Sequence, residues 1–520
     1  MKCSVYFSKV LVLIAFLLLM GNIVIAQQKS YDQKIAELEQ YYTKALTDWE
    51  VPGMAIAIVK DGDIIFAKGF GVKNINTGEP VDSETLFPVA SNTKAMTAAA
   101  LAILVDRGLI TWNDKVVDHI PYFQLYDPYV TANMTIRDLL THRSGLETFS
   151  GDLLWYGANY SREEVIRRAR HLKPAFGFRE RFGYSNIMFM TAGEIVPAVT
   201  GDSWEEFIMT ELIQPLGMKR TVLSTNDLVT MTNVATPHTD FNEKVIAIEY
   251  LNWDNMGPAG SVISSANDMS KWLLLQLNRG VWNDDTLFTP ARSREMWSSQ
   301  TVMNISSFAE VQWPSTTFKS YGLGWALNNY LGKKIVSHNG GYDGMISQTC
   351  MVPDENLGFV ILTNKNSSLY FPLMYKTLDV FLGGEDNDWS AMILERVNNS
   401  KKRAEEQKAK LAEERVKESA PSLPLEDYTG SYSGELYGNA VVDLNGQILT
   451  VQFEPSPMFL GTLKHWHFDT FEITFENFPS LPSGFCTFIL GHDGKVAELK
   501  IDVPNPDFDF TELEFKKIEK

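Results

Sequence analysis

The spacing of apolar positions changes several times along the chain, and each change marks a different element. Residues 33–49 are helical in pattern. Gly53–Lys60 and Asp63–Phe70 are two apolar runs joined by Asp61-Gly62, which predicts a β-hairpin. From Thr93, the positions Ala95, Ala98, Leu101, Ala102 and Val105 recur at helical spacing. Ser91 and Asn92 are the expected N-caps of this helix, and Gly108 is its expected stop. The stretch Trp112–Met218 stays helical in character, with loops. Within it, Ser161–Ala169 carries Glu163 and Glu164 in its first turn, where the helix dipole favours acids. Met188–Thr200 should be kinked or shortened by Pro197 and ended by Gly201, and Trp204–Leu212 follows. Ala266–Leu277 is a further helix. Beyond Tyr321 the pattern turns to strands: Leu323–Leu327, Ile335–His338, Met345–Val352 and Leu357–Thr363. Gly and Pro-Asp turns between the last three predict an antiparallel sheet, closed by a helix over Tyr370–Phe381.

Residues 395–424 are a charge run that reads as a solvated helical linker, stopped by Pro421 and Pro424. Residues 425–520 contain the hairpin turns Asn445-Gly446 and Asp493-Gly494 between alternating apolar positions such as Val441, Leu444, Ile448 and Val451, which predicts a small all-β sheet or barrel. At the other end, Lys2 and Lys9 flank a short apolar run, Val10–Met20, and Val24-Ile25-Ala26 precedes Gln27. Residues 1–26 therefore read as a secretory signal peptide, with a permanent N-terminal anchor as the alternative. Cys3 lies before the apolar run, so it is not the cysteine of a lipoprotein signal. With no second long apolar segment, the mature part, beginning with a domain over 27–394, is expected to be soluble, without stable membrane insertion, and periplasmic or extracellular.

Composition narrows the partners. The 520 residues are 45% hydrophobic and 21% charged, enough for a sizeable core and unlike a disordered chain. The formal charge is −18, and removal of 1–26 takes away two lysines and no acid. Such an acidic protein is a poor ligand for nucleic acid or an anionic membrane. Cys350 and Cys486 fall in different predicted domains, which favours two free buried thiols over a disulfide. No C-x-x-C or H-E-x-x-H spacing occurs, so no metal or cofactor is expected.

Ser91-Asn92-Thr93-Lys94 is an S-x-x-K tetrad. Residues i and i+3 of a helix share a face, so the hydroxyl and the amine can meet. A desolvated lysine loses its preference for the charged form and can take the serine's proton. Two fixed residues arise by chance about once or twice in a chain of this length, so context has to carry the argument. Here the tetrad opens an apolar helix after a hairpin and a Phe87-Pro88 loop. The G-x-S-x-G elbow is absent, so a Ser-His-Asp triad has no support. Tyr184-Ser185-Asn186 sits at a loop-to-helix junction. Its phenol can relay a proton and its amide can hold a substrate carbonyl. Y-x-N also occurs at Tyr250 and Tyr437, though not in such a place. His338-Asn339-Gly340-Gly341 ends a predicted strand, and its glycines allow the backbone to approach a ligand closely.

Three such motifs in this order resemble the serine β-lactamase and penicillin-binding superfamily, nearest to its class C β-lactamase-like branch of esterases, D-amino-acid peptidases and DD-carboxypeptidases. The segments Thr135–Leu146, Gln214–Met218 and Pro258–Ser261 also resemble that branch over roughly residues 30–385. Residues 425–520 are similar to the lipocalin-like module that follows such domains. The resemblance implies an α+β fold, with an antiparallel sheet flanked by helices, a helical subdomain, and then a barrel. It implies Ser91 as the acylated nucleophile, Lys94 as its activator, Tyr184 as the proton relay, and Asn186 as the group that orients the substrate. The N–H groups of Ser91 and Gly341 would hold the oxyanion, with His338 and Gly340 in the substrate-binding strand. Whether Lys94 or Tyr184 takes the first proton stays open. β-Lactamases usually place lysine where His338 stands. A neutral histidine attracts a carboxylate less, so weak or absent β-lactamase activity is expected. His142 reads as a buried structural residue, and His465 and His467 as surface decoration. The expected substrate is a small amide or ester, with D-amino-acid peptides or cell-wall fragments favoured. A carboxylesterase and a non-catalytic cell-wall peptide binder are the alternatives.

Overall fold

A computed structural model describes residues 31–478 and 481–519, so the segment read as a signal peptide lies outside the described residues. An eight-stranded antiparallel sheet is the frame. Its order is Asp63–Gly71, Gly53–Lys60, Leu357–Thr363, Met345–Val352, Lys333–Tyr342, Ala326–Tyr330, Lys319–Tyr321 and Thr301–Val302. Strand Gly53–Lys60, second from one edge, is almost wholly buried because both of its faces are covered. Met54, Ile56 and Ile58 face one apolar core with Tyr42, Leu373 and Trp389. Ala55, Ala57 and Val59 face the other with Leu101, Met269 and Leu273. This is the period-two alternation of a strand, with apolar residues in both registers.

Helix Thr93–Asp106 is buried on nearly every side, as its all-round apolar sequence requires. It packs against Asn186–Thr200 and the short helix Gly257–Gly260. The helix expected at Met188–Thr200 begins two residues earlier and runs through Pro197 to Gly201, whose φ of 85° ends it. Trp204–Ile208 is α-helical, then widens into a π turn over Met209–Ile213. The segment Thr135–Leu146 is held by buried Asp138. Its carboxylate accepts from Arg143 Nε and Arg179 Nη2, each at 2.6 Å, and closes a capping box with Thr135.

Two strand expectations shift. The strand expected at Leu323–Leu327 forms instead at Ala326–Tyr330, because Gly324 takes a φ of 77° and turns the chain ahead of it. The strand expected to end at His338 continues to Tyr342, with Gly340 and Gly341 paired to Ser347 and Ile346.

Helix Trp389–Glu414 is buried only in its first turn, where Trp389 Nε1 donates to Asp379 Oδ2 at 2.6 Å. Beyond it, eight strands from Gly430–Gly434 to Phe515–Lys517 close into a barrel. Ala440, Val442, Leu449, Val451 and Phe453 fill its interior, whereas Val441 and Leu444 are half-buried and Ile448 is exposed. His465 and His467 are half-buried rather than surface residues, since the 415–422 segment crosses them and Val416 N–H meets His467 Nδ1 at 3.4 Å. Cys350 lies buried in the sheet domain and Cys486 in the barrel, and both thiols are free. The barrel docks on the helical subdomain. Tyr160 donates to Tyr437 O and Asn159 N–H to Pro455 O, each at 2.7 Å, and the Tyr156 ring lies 4.1 Å from that of Phe508.

Candidate active site

Ser91 stands in a 3-10 turn, Ala90–Asn92, at the head of helix Thr93–Asp106. Ala90, immediately before it, has a φ of 46°, a left-handed conformation disfavoured for any residue with a Cβ. Asn92 was the expected cap, yet its side chain caps nothing. Its amide donates to Ser347 Oγ at 2.7 Å and accepts from Thr349 Oγ1 at 2.5 Å, while Ser347 Oγ donates to Val89 O at 2.6 Å. The turn is thereby tied across to the strand Met345–Val352, next to the one that carries the third motif.

Lys94 is fully buried, and its Nζ lies 2.9 Å from Ser91 Oγ, 2.7 Å from Asn186 Oδ1 and 2.8 Å from Ala259 O. The last two atoms can only accept. A neutral amine gives them its two hydrogens and turns its lone pair to the serine hydroxyl. Burial pushes Lys94 down to about 7, against the pull of the Asp152 carboxylate. Asn186 passes the contact on, since its Nδ2 donates to Asp152 Oδ2 at 2.6 Å. Asp152 is itself buried, which raises it to about 7 despite the opposing bonds and the nearby lysine.

Tyr184 lies across the lysine, with its ring centroid 4.8 Å from Nζ. Burial drives its phenol well above the usual value, and a hydrogen bond with Ser91 opposes that only in part. Behind it, the His142 ring stacks at 4.2 Å. His142 Nδ1 accepts from Ser185 N–H at 3.0 Å, and burial holds the ring neutral, so Nε2 carries its proton.

His338 Nδ1 lies 2.6 Å from Asn339 O, and Nε2 lies 2.8 Å from the Tyr321 hydroxyl. Burial lowers its pKa to about 3. A neutral ring facing a carbonyl must place its hydrogen on Nδ1, so Nε2 accepts from Tyr321. Both nitrogens are therefore engaged within the protein. Gly340 is where the backbone comes closest: a Cβ there would lie 2.3 Å from Val89 O and 2.8 Å from Ser91 N. Gly341 is open, its nearest neighbour being Ile346 Cδ1 at 3.7 Å.

All seven residues singled out in the sequence thus meet at one place. Sequence reasoning missed Asp152, Tyr321 and the seat of the barrel beside the cleft. A cavity of about 770 Å3 opens over Ser91, Tyr184 and His338, and Asp507 and Phe508 of the barrel form part of its wall. Trp155 and Tyr156, from the loop that follows Glu147, line it too. Among the described residues no group of three or more His, Cys, Asp or Glu side chains could hold a metal ion, and no helix is long and apolar enough to cross a membrane.

Comparison with known proteins agrees with this geometry. The beta-lactamase family model matches residues 38–376, and a domain of unknown function, DUF3471, matches 414–517. The unguisins hydrolase ungD' of Aspergillus campestris is 30% identical over 425 residues, covering 77% of this chain and 76% of that protein. Protein flp of Staphylococcus aureus strain MW2 is 28% identical, covering 63% of this chain and 62% of that protein. In fold, the octameric penicillin-binding protein homologue from Pyrococcus abyssi superposes with a TM-score of 0.62 at 22% identity, over 93% of this chain and 100% of that one. The chain belongs to the beta-lactamase family and is a serine hydrolase of the wider β-lactamase and penicillin-binding superfamily.

Proposed function

We propose that the protein is an exported hydrolase that cleaves a small amide or ester through an acyl-enzyme on Ser91, with D-amino-acid-containing peptides or cell-wall fragments as favoured substrates. One observation carries the reading: a fully buried lysine whose amine lies 2.9 Å from the serine hydroxyl, with its other two contacts made to obligate acceptors. In the first step Lys94 takes the Ser91 proton as Oγ attacks the substrate carbonyl carbon. The carbonyl π pair moves to oxygen, where the Ser91 and Gly341 N–H groups hold the charge. Tyr184 is a neutral phenol near pH 7 because burial raises it. It therefore suits the role of relay: it protonates the leaving amine or alcohol and is reprotonated from Lys94. Water then enters, loses its proton to the same pair, and releases the acid and Ser91.

The engaged nitrogens of His338 argue against strong attraction of a β-lactam carboxylate. A cavity bordered by Trp155, Tyr156 and Phe508, with Asp343 and Lys319 also on its wall, suits a peptide with both aromatic and charged contacts. A relative named as an unguisins hydrolase agrees with hydrolysis in this branch.

A fluorophosphonate probe tests the nucleophile. Wild type should label and Ser91→Ala should not; folded wild-type protein that stays unlabelled refutes the reading and favours a peptide-binding role. A panel of D- and L-aminoacyl amides and acyl esters then separates peptidase from carboxylesterase. Efficient turnover of a chromogenic cephalosporin would overturn the argument from His338. Sequencing the N-terminus of secreted protein tests export, with Gln27 expected first.

A further inference from the structure

The loop after Glu147 is gripped from two sides. On one side, Glu512 of the barrel reaches across the domain boundary. Ser150 Oγ donates to Glu512 Oε1 at 2.5 Å, and Gly151 N–H donates to Glu512 Oε2 at 2.8 Å. Gly151 has a φ of 78°, and a Cβ there would lie 2.6 Å from Leu172 Cδ1 and 2.8 Å from Ile187 Cδ1, so the turn has little freedom to relax. On the other side is the next residue, Asp152, which accepts from Asn186 Nδ2 at 2.6 Å. Asn186 Oδ1 in turn accepts from Lys94 at 2.7 Å, and Lys94 meets Ser91 at 2.9 Å. Short contacts, joined by the peptide link from Gly151 to Asp152, thus run from the barrel to the nucleophile.

Resting on the roles assigned above to Ser91 and Lys94, we propose that the barrel completes the catalytic centre. Glu512 clamps the 150–151 turn, and Asp152 is a positioning residue that fixes the Lys94 amine through the Asn186 amide. Deleting the Asp152 carboxylate frees Asn186 Nδ2, and the amide can then rotate away from the lysine. The charged and titratable groups facing Asp152 are Lys94, Tyr184 and Glu512, with the Trp155 indole also against it. Its negative charge favours the lysine's ammonium form, so its removal lets the amine act as a base at lower pH.

The test is the rate of fluorophosphonate labelling of the full chain as a function of pH. Misplacement of a catalytic group by about 1 Å costs up to about 100-fold, so Asp152→Ala should label roughly 10- to 100-fold more slowly and Glu512→Ala about 10-fold. Asp152→Asn keeps an acceptor for Asn186. It should restore most of the rate while moving the acid half-point downward, a shift that a purely structural role would not produce. Lys173→Ala removes the exposed Lys173–Glu514 contact of 2.7 Å at the same domain boundary and should label as wild type. If the alanine variants fail to fold, Asp152→Asn and Glu512→Gln carry the test. Unchanged rates in Asp152→Ala and in the Glu512 variants, or an unmoved half-point in Asp152→Asn, overturn the inference while Ser91 labelling of wild type still stands. A wild type that never labels removes the underlying reading instead.

Discussion

Lys94 has been moved from an ordinary value of 10.5 to about 7 by burial. At about 1.36 kcal/mol per unit this is roughly 5 kcal/mol of disfavour for the ammonium form. At pH 7 about half of the lysines are then neutral, against roughly one in 3,000 for an unperturbed amine, a gain of about 1,000-fold in available base. The perturbation to apply is pH, with Lys94→Arg beside it, because a guanidinium stays charged throughout. The assay is the second-order rate of fluorophosphonate labelling between pH 5 and 9. Below the half-point the rate should fall about tenfold per unit, and the half-point should lie between about 6 and 8. Lys94→Arg should lose about 1,000-fold or more at pH 7. Tyr184 lies far above this window and His338 and His142 below it, so none of the three accounts for such a limb. Asp152, raised to about 7, could mimic it. The limb must therefore persist, moved downward, in Asp152→Asn. A flat profile from pH 5 to 9 would refute the reasoning, as would a half-point near that of an exposed lysine.

The same lysine makes stability depend on pH. Its folded value lies below its unfolded value, so the unfolded chain binds the extra proton between pH 7 and 10.5; stability should rise with pH across that window by about 1.4 kcal/mol per unit, and denaturant titrations of Lys94→Met should lack that component. Gly340→Ala forces a Cβ against two backbone atoms and should cost about 1–3 kcal/mol or more in denaturant unfolding, whereas Gly341→Ala meets nothing closer than 3.7 Å; equal losses at the two positions would contradict the geometry. Tyr156→Phe keeps the rings packed but removes the 2.7 Å bond to half-buried Asp343, costing about 1–3 kcal/mol, while Tyr156→Ala also empties the contact with Phe508 and should cost about 3–5 kcal/mol and speed proteolysis between the sheet domain and the barrel.

Much of the site was legible because its motifs are local. Ser91 and Lys94 are three residues apart on one helix, and Tyr184 and Asn186 flank a single N-cap, so short-range spacing made each pair visible, and the resemblance to the superfamily joined the pairs and His338 into one site. The central strands were legible because both of their faces need apolar residues. What escaped detection depends on distant partners. Tyr321 matters only because the Lys319–Tyr321 strand brings it to His338. Asp152 follows a turn with no periodic signal and acquires its place from Asn186, 34 residues later. Asn92 looked like a cap, but Ser347 and Thr349 offered its amide better partners than the helix end did. The barrel's strands were predictable from their turns, whereas its seat beside the cleft rests on Phe508 and Glu512, in a segment whose local pattern says nothing about docking.

The sheet order has a consequence for synthesis. Strand Gly53–Lys60 finds one neighbour within a few residues, in the hairpin to Asp63–Gly71, but its other neighbour is Leu357–Thr363. Nearly 300 residues separate the two strands, so at roughly 5–20 residues per second a growing chain leaves an apolar strand edge unpaired for about 15–60 s. The Gly340 cradle for Ser91 is completed in the same interval, and a chain stopped before it carries the nucleophile without a site. For this topology, late translation is when both the aggregation hazard ends and the hydrolase begins.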